Sequence, residues 1–519
     1  MPKRTTFFYL PSTPRMKEFN TTTAPVDLLE EAELSKGKHP RQLYLLFFTE
    51  MWERFSFYGM KALLLAYMVT QLKFDEPKGY AILGSYAALV YTMPMFGGMI
   101  ADRFLGYRKA ITFGGILMTI GHLVLAIPQD WSFFYGMAFI ICGNGFFKPN
   151  ISSLVGTLYS ENDPRKDSAF SIFYMGINLG ACIGGALCGY VGQQINWHFG
   201  FGLAGIFMIL GLIVFTIGKK SLGNRGLPPQ VENLQKKVAV GISREVVIYI
   251  ATLVVIPLVV FLFHVYEAMD YIMMGLGVLS LIYILYIAFQ LERAAKFKLL
   301  AAIVMIISSI LFWAFYEQNS GSLNLFAMRN VDMHVFGMNL PPLSVNNFLP
   351  PFWVIALSPV FAWLWIWLNK RGKEPSTPLK FALSFIFLGI GFYIFYLGCR
   401  ANISTGYISL ITFTLGYVAI ICGELCLSPI GLSMITKLAP VKIVGMVMGI
   451  WFLASAIGEF LAQKIGSMMS VPESVVNDPV RSLPYYADIL NKIGLGSIIL
   501  GGLLLCTVPF LKRWMGNVK

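Results

Sequence analysis

The chain has 519 residues, of which 56% are hydrophobic and only 13% charged, with a mean hydropathy of +0.66. Water-soluble domains carry about 25% charged residues, so a soluble globular fold is excluded. The net charge of +13 does not point to nucleic acid if the basic residues fall in alternate loops between membrane spans, where they resist translocation.

Residues 1–42 are polar, with scattered Pro and Thr and no apolar core, which predicts a cytoplasmic tail rather than a signal peptide. A short amphipathic helix is expected near Leu28 to Leu34. Apolar runs of about 18 residues or more can cross a bilayer. They are predicted at 44–69, 79–100, 108–126, 131–158, 166–192, 198–217, 242–263, 269–288, 299–320, 347–368, 378–397, 407–434, 444–466 and 484–511. With the N-terminus inside and the spans alternating, Lys73, Lys78, Arg329, Arg400 and Arg481 fall in outside loops. Arg54, Lys61, Lys148, Lys464 and Lys492 fall deep within spans, which leaves 30 of the 40 Lys and Arg in inside segments or at the inside ends of spans. That asymmetry supports the span count and places both termini in the cytoplasm.

The expected fold is an all-α polytopic membrane protein. Residues 43–217 form an N-terminal six-helix bundle, 218–241 a cytoplasmic linker, and 242–290 two inserted transmembrane helices. Residues 291–519 form a C-terminal six-helix bundle with a short cytoplasmic tail, for 14 transmembrane helices in all. Two six-helix halves suggest a transporter built from repeats, with its site at their interface. The outside loops 321–346 and 467–483 are too short for an extra domain.

An ionisable side chain at mid-membrane costs about 2.5–3.5 kcal/mol on insertion scales, so it must pair or line a wet cavity. Seven lie well inside spans: Glu50, Glu53, Arg54, Lys61, Lys148, Glu317 and Glu424. Four are acids and three are bases, so they balance only when one acid is protonated. Glu50, Glu53, Arg54, Phe57, Tyr58 and Lys61 share one face of the first span, which must point into the protein. Glu50 and Arg54, four apart, can pair along the helix. In the fourth span, Lys148 can reach those carboxylates, and Pro149 frees the carbonyl of Gly145 and kinks the helix.

Trp313 and Glu317 lie four apart on one span, and Trp451, Ser455 and Glu459 repeat that spacing on another. Glu459 is expected to pair with Lys464. Gly97 to Lys109, with Asp102 and Arg103, places acid and base at cytoplasmic helix ends where they can latch and release. His122 reads as a satisfied core histidine, and the seven cysteines as packing residues. No phosphate loop, metal-ligand cluster or nucleophile constellation is present, so no enzyme activity, metal or cofactor is expected.

Glu50-Met-Trp-Glu53-Arg54-Phe55-Ser-Phe57-Tyr58-Gly59 resembles the ExxERFxYYG signature of the proton-dependent oligopeptide transporter family of the major facilitator superfamily. Phe146-Phe147-Lys148-Pro149-Asn150 and Gly423-Glu424-Leu-Cys-Leu-Ser-Pro429-Ile-Gly431 resemble its other signatures, and the segment around Asp102 resembles the general superfamily motif. Two helices inserted between the halves, and a short loop before the tenth core span, resemble bacterial members. The resemblance implies a major facilitator fold and a proton-coupled symporter that imports di- and tripeptides by alternating access. It would sit as a monomer in a bacterial inner membrane, with short peptides, protons and the lipid bilayer as partners, no nucleic acid, and the proton gradient in place of any cofactor.

By that resemblance Lys61 and Lys148 hold the peptide carboxylate, and Glu424, helped by Asn178, holds the ammonium. Tyr58 and Tyr91 contact the peptide backbone, and Trp313, Trp451 and Ser455 line the cavity. Glu50, Glu53, Arg54 and Glu317 couple proton movement to conformation. Cross-bundle pairs Lys61–Glu317 and Lys148–Glu424 would close one side.

Three residues depart from the family pattern. Lys61 stands where relatives often have Arg, and a lysine grips a carboxylate only as a point charge. Phe57 replaces the first tyrosine. Pro350-Pro351 stands where many relatives have Asn-Pro, with Asn346 or Asn347 as possible substitutes. Competing readings are the same fold carrying another small zwitterion or anion, such as a peptide-like drug or nitrate, and a receptor that transports nothing.

Overall fold

The computed structural model describes residues 38–160, 163–238, 241–428, 434, 437–440 and 443–516. The expected helix near Leu28 to Leu34, and Pro429 to Gly431 of the third signature, lie outside them. Residues up to Arg41 form a unit separate from Gln42–Lys519, and the fold below is that of the larger unit.

Fourteen long helices follow one another among the described residues: α1 (Arg41–Thr70), α2 (Glu76–Ile100), α3 (Gly106–Leu125), α4 (Asp130–Gly156), α5 (Lys166–Gln194), α6 (Trp197–Gly218), α7 (Arg244–His264), α8 (Tyr266–Gln290), α9 (Arg293–Tyr316), α10 (Pro342–Lys370), α11 (Thr377–Ala401), α12 (Leu410–Leu427), α13 (Val444–Ser467) and α14 (Pro479–Met515). Each predicted span has its helix. Ten, α5 to α14, are long and apolar enough to cross a membrane on length and composition alone. The first four helices fall short of that measure. In α1 the cause is plain, since Glu50, Glu53, Arg54 and Lys61 are all buried within it.

Buried apolar side chains gather into two large cores. One draws on α1 to α7 together with Leu325 and Leu343, the other on α8 to α14. Helices in lipid gain little from apolar burial alone, so close backbone approach matters more. Gly97 of α2 faces the carbonyl of Gly145 on α4 so closely that any Cβ would overlap it. Gly180 and Gly184 let α5 lie directly on the α1 backbone.

Some connections differ from expectation. Residues 321–346 hold a short helix, Ser322–Asn330, and three two-residue strands, because Asn330, buried there, bonds the carbonyls of Gly406 and Pro479 at 2.9 Å each. The segment after α2 continues as a π-helical turn, Ala101–Leu105, and breaks at Gly106, whose φ of 70° favours glycine. His122 is fully buried, and neither ring nitrogen has a hydrogen-bond partner among the described residues, so it is not the satisfied histidine expected. Cys506 is exposed rather than packed.

Candidate functional site

A cavity of about 370 Å³ lies where helices of both cores meet. All nine residues expected to bind substrate line it: Tyr58, Lys61, Tyr91, Lys148, Asn178, Trp313, Glu424, Trp451 and Ser455. Helix periodicity aims those on α1, and an interface of six helices assembles the rest.

Behind the wall sits a charge cluster belonging to α1 and α4. Arg54 Nε lies 3.4 Å from Glu50 Oε1 and forks onto Glu53, the adjacent residue. Lys148 Nζ reaches Glu50 Oε1 at 3.2 Å. Glu50, Glu53 and Arg54 are almost wholly buried. The Arg54 guanidinium stacks 4.8 Å from the Phe57 ring and 5.8 Å from that of Tyr58. Phe57, the departure from the family pattern, therefore keeps the face that a cation needs and loses only a hydroxyl.

The second cluster crosses between the halves. Lys61 Nζ lies 3.3 Å from Glu317 Oε2 and 3.3 Å from Glu459 Oε2. The expected Lys61–Glu317 pair is present. The expected Glu459–Lys464 pair is not, because Lys464 turns outward to Asp270 of α8 at 2.7 Å. Five residues carry a helical side chain well past a full turn, so Glu459 and Lys464 face different neighbours. Glu459 lines the cavity, 3% exposed, and is hydrogen-bonded by Tyr91. Glu317 sits where α9 ends at Tyr316, four residues before the predicted end of that span.

Glu424 meets neither lysine in this conformation, so the expected Lys148–Glu424 pair is absent. The Tyr316 hydroxyl donates to Glu424, and Tyr174 also hydrogen-bonds it. Asn178, expected to assist Glu424, instead donates to the carbonyl of Tyr174 on its own helix at 3.0 Å. Asn347 lines the cavity beside Pro350 and Pro351, its amide donating to Asn324 and to the carbonyl of Leu343 at 2.8 Å each. Asn346 is taken by Tyr417, whose hydroxyl donates to it at 2.5 Å.

Sequence reasoning missed the cavity roles of Tyr174, Tyr316 and Tyr417, left Asn347 as an alternative to Asn346, and misassigned Glu459. The four-residue spacing of Glu459 from Ser455 was the available signal.

Bonds between early and late helices gather at one end of the molecule. Arg329 Nη1 lies 2.6 Å from Glu76 Oε1 and donates to the Tyr486 hydroxyl at 2.8 Å. Asn324 donates to the Ala62 carbonyl at 3.0 Å, and Ser344 to that of Ala186 at 2.8 Å. Near the opposite end Asp102 and Arg103 are exposed on the π-helical turn, where Asp102 accepts from Tyr107. The bases after them bind the middle of the chain: Arg108 donates to the Gly223 carbonyl, and Lys109 Nζ meets Glu245 of α7 at 2.6 Å.

A cavity between two helical halves, walled by buried charges of both signs, defines a secondary transporter of the major facilitator type. The chain belongs to the POT family, the peptide transporter family its motifs resemble: that family's model matches residues 108–481. It is 40% identical to an uncharacterized transporter, YclF, of Bacillus subtilis, over 92% of this chain and 96% of that one. It is 32% identical to dipeptide and tripeptide permease A of Cronobacter turicensis, over 95% and 97% of the two chains. Among solved structures it is similar to a peptide transporter POT in complex with sulfate, at 35% identity and a TM-score of 0.79 over 92% and 96% of the chains. Tetrameric PepTSo2 is 29% identical, with a TM-score of 0.78 over 91% and 99%.

Proposed function

We propose that this protein is a proton-coupled symporter that imports di- and tripeptides by alternating access. The observation that carries the reading is the polarity of the cavity: Lys61 and Lys148 line it from α1 and α4, and Glu424 from α12. A peptide at neutral pH carries a carboxylate and an ammonium, and each meets a pole of opposite charge. Among the described residues Glu424 has hydrogen-bond donors but no paired cation, so it is ready for the ammonium. The lysines are held by carboxylates that a substrate carboxylate would displace, and that displacement couples binding to proton movement. Kinship with dipeptide and tripeptide permeases supports the substrate class. A volume of about 370 Å³ falls within the roughly 300–1,000 Å³ of small-molecule sites.

All fourteen helices then cross a bacterial inner membrane with both termini cytoplasmic. The Glu76–Arg329 end faces outward and is closed, so this conformation opens inward. The cavity is complete within one chain, which supports a monomer as the transporting unit whatever larger assembly forms. Lys61, Tyr58, Tyr91, Lys148, Asn178, Trp313, Glu424, Trp451 and Ser455 form the substrate site. Glu50, Glu53, Arg54 and Glu317 carry the coupling.

The test is uptake into liposomes under an inward proton gradient, comparing dialanine with nitrate. Dialanine should accumulate and nitrate should not. Nitrate uptake without dialanine uptake would replace the peptide reading with an anion carrier, which has no use for Glu424.

A further inference from the structure

The charges around the cavity divide unevenly. On α1 and α4, two carboxylates (Glu50, Glu53) meet two cations (Arg54, Lys148) and balance. In the cross-bundle cluster two carboxylates share one ammonium, with Lys61 Nζ 3.3 Å from each. The four-acid, three-base count made from sequence omits Glu459. Among the described residues five acids and three bases face this region, an excess of two. Glu424 accounts for one, and a peptide ammonium can neutralise it. The other belongs to the Glu317–Glu459 pair, and no pole of a peptide removes it. A substrate carboxylate arriving at Lys61 makes it worse.

We infer that Glu459 is a second proton-binding carboxylate of the coupling machinery, sharing one proton with Glu317 across Lys61. The inference rests on the transport reading above, but its core claim concerns protonation and is separable from substrate. A buried uncompensated charge costs several kcal/mol even after relaxation, and a proton from outside is the neutralising partner available. Among the described residues the groups facing Glu459 are Lys61 and Tyr58 of α1, Tyr86 and Tyr91 of α2, and Glu317 beyond α9. On its own helix Lys464 is occupied by Asp270. On its other side Ala456 and Phe460 pack against Met269 and Met273 of α8, an apolar wall. Tyr91 can donate to Glu459 when it is ionised, or accept from it when it is protonated.

The two acids sit on different elements of the C-terminal half, and the lysine sits on the N-terminal half. A proton entering the pair weakens the hold on Lys61, frees its ammonium for a substrate carboxylate, and loosens the halves together. The pair holds one carboxylate more than Lys61 balances, so losing either acid should lower the number of protons that move while the remaining acid keeps the clasp.

The experiment uses the full-length protein in liposomes, with Glu459→Gln, Glu459→Asp and wild type compared. Infrared difference spectra across a pH jump report protonated carboxyl groups directly. Glu459→Gln should lose part of that signal, and Glu459→Asp should keep it. An unchanged carboxyl signal in Glu459→Gln, with Glu459→Asp also like wild type, overturns the inference. In the same liposomes, with a one-unit pH gradient and the membrane potential clamped at zero, losing one coupled proton lowers the limiting dialanine accumulation about ten-fold. Equal accumulation in Glu459→Gln and wild type also overturns it. If wild type accumulates no dialanine, the peptide reading falls, while the infrared comparison still decides the role of Glu459.

Discussion

The two charge clusters beside the cavity use the same residue types to opposite ends. In the α1–α4 cluster, Glu50, Glu53, Arg54 and Lys148 all belong to the first half and sum to zero. Rocking one half against the other leaves it intact. The Lys61–Glu317–Glu459 cluster spans both halves and carries one acid too many. Any opening between the halves must stretch it, and protonation weakens it. A balanced network within one rigid body can fasten, whereas an unbalanced one between two bodies can switch.

This contrast predicts different outcomes for substitutions that look alike. The largest effect should come from the fastening cluster. Arg54→Ala leaves Glu50 and Glu53 with only Lys148, an uncompensated buried charge worth about 3–5 kcal/mol of stability. Thermal unfolding in detergent should show that loss, and a midpoint like wild type would mean that the cluster does not fasten. Glu459→Gln, which removes an excess charge, should cause no comparable drop.

Next come the substrate poles. Lys148→Ala and Glu424→Ala each delete a charge-assisted bond worth about 1.5–3 kcal/mol, which is roughly a ten- to hundred-fold rise in dipeptide Kd. Binding as tight as wild type in both variants would remove the assigned poles.

Glu317→Gln mimics a permanently protonated acid on the switching side. Proton-driven accumulation should fall at least as far as in Glu459→Gln, while peptide counterflow, which needs no net proton movement, should partly persist. Accumulation equal to wild type would leave the first-helix cluster to carry the coupling without Glu317. Lys61→Arg should transport as well as wild type or better, because a guanidinium grips a carboxylate through a planar fork where an ammonium acts as a point charge. Loss of uptake in a well-folded Lys61→Arg protein would count against the shared clasp.

The smallest effect belongs to the tie between the inserted helices and the second half. Lys464 and Asp270 are 40% and 44% exposed. Asp270→Asn should therefore shift stability by less than about 1 kcal/mol, measured as the unfolding midpoint. A large shift would mean that α8 braces α13.

Sequence alone determined the membrane architecture, because apolar runs of bilayer length are a one-dimensional property that survives any packing. It also determined which residues must face inward. A charge in lipid is too costly to leave outside, and the spacing of Glu50, Arg54, Tyr58 and Lys61 places them on one helix face. The nine residues that the family resemblance assigns to a substrate site line one cavity. Spacing says nothing about which buried charge meets which across helices far apart in the chain. Only the tertiary structure decided that Lys148 meets Glu50 rather than Glu424, that Tyr316 occupies Glu424, and that Lys61 draws on Glu459 as well as Glu317. Each of those choices depends on the angle and depth at which one helix lies against another. Packing of glycines such as Gly97, Gly180 and Gly184 sets these, and the position of Glu459, eight residues beyond Trp451, does not reveal them.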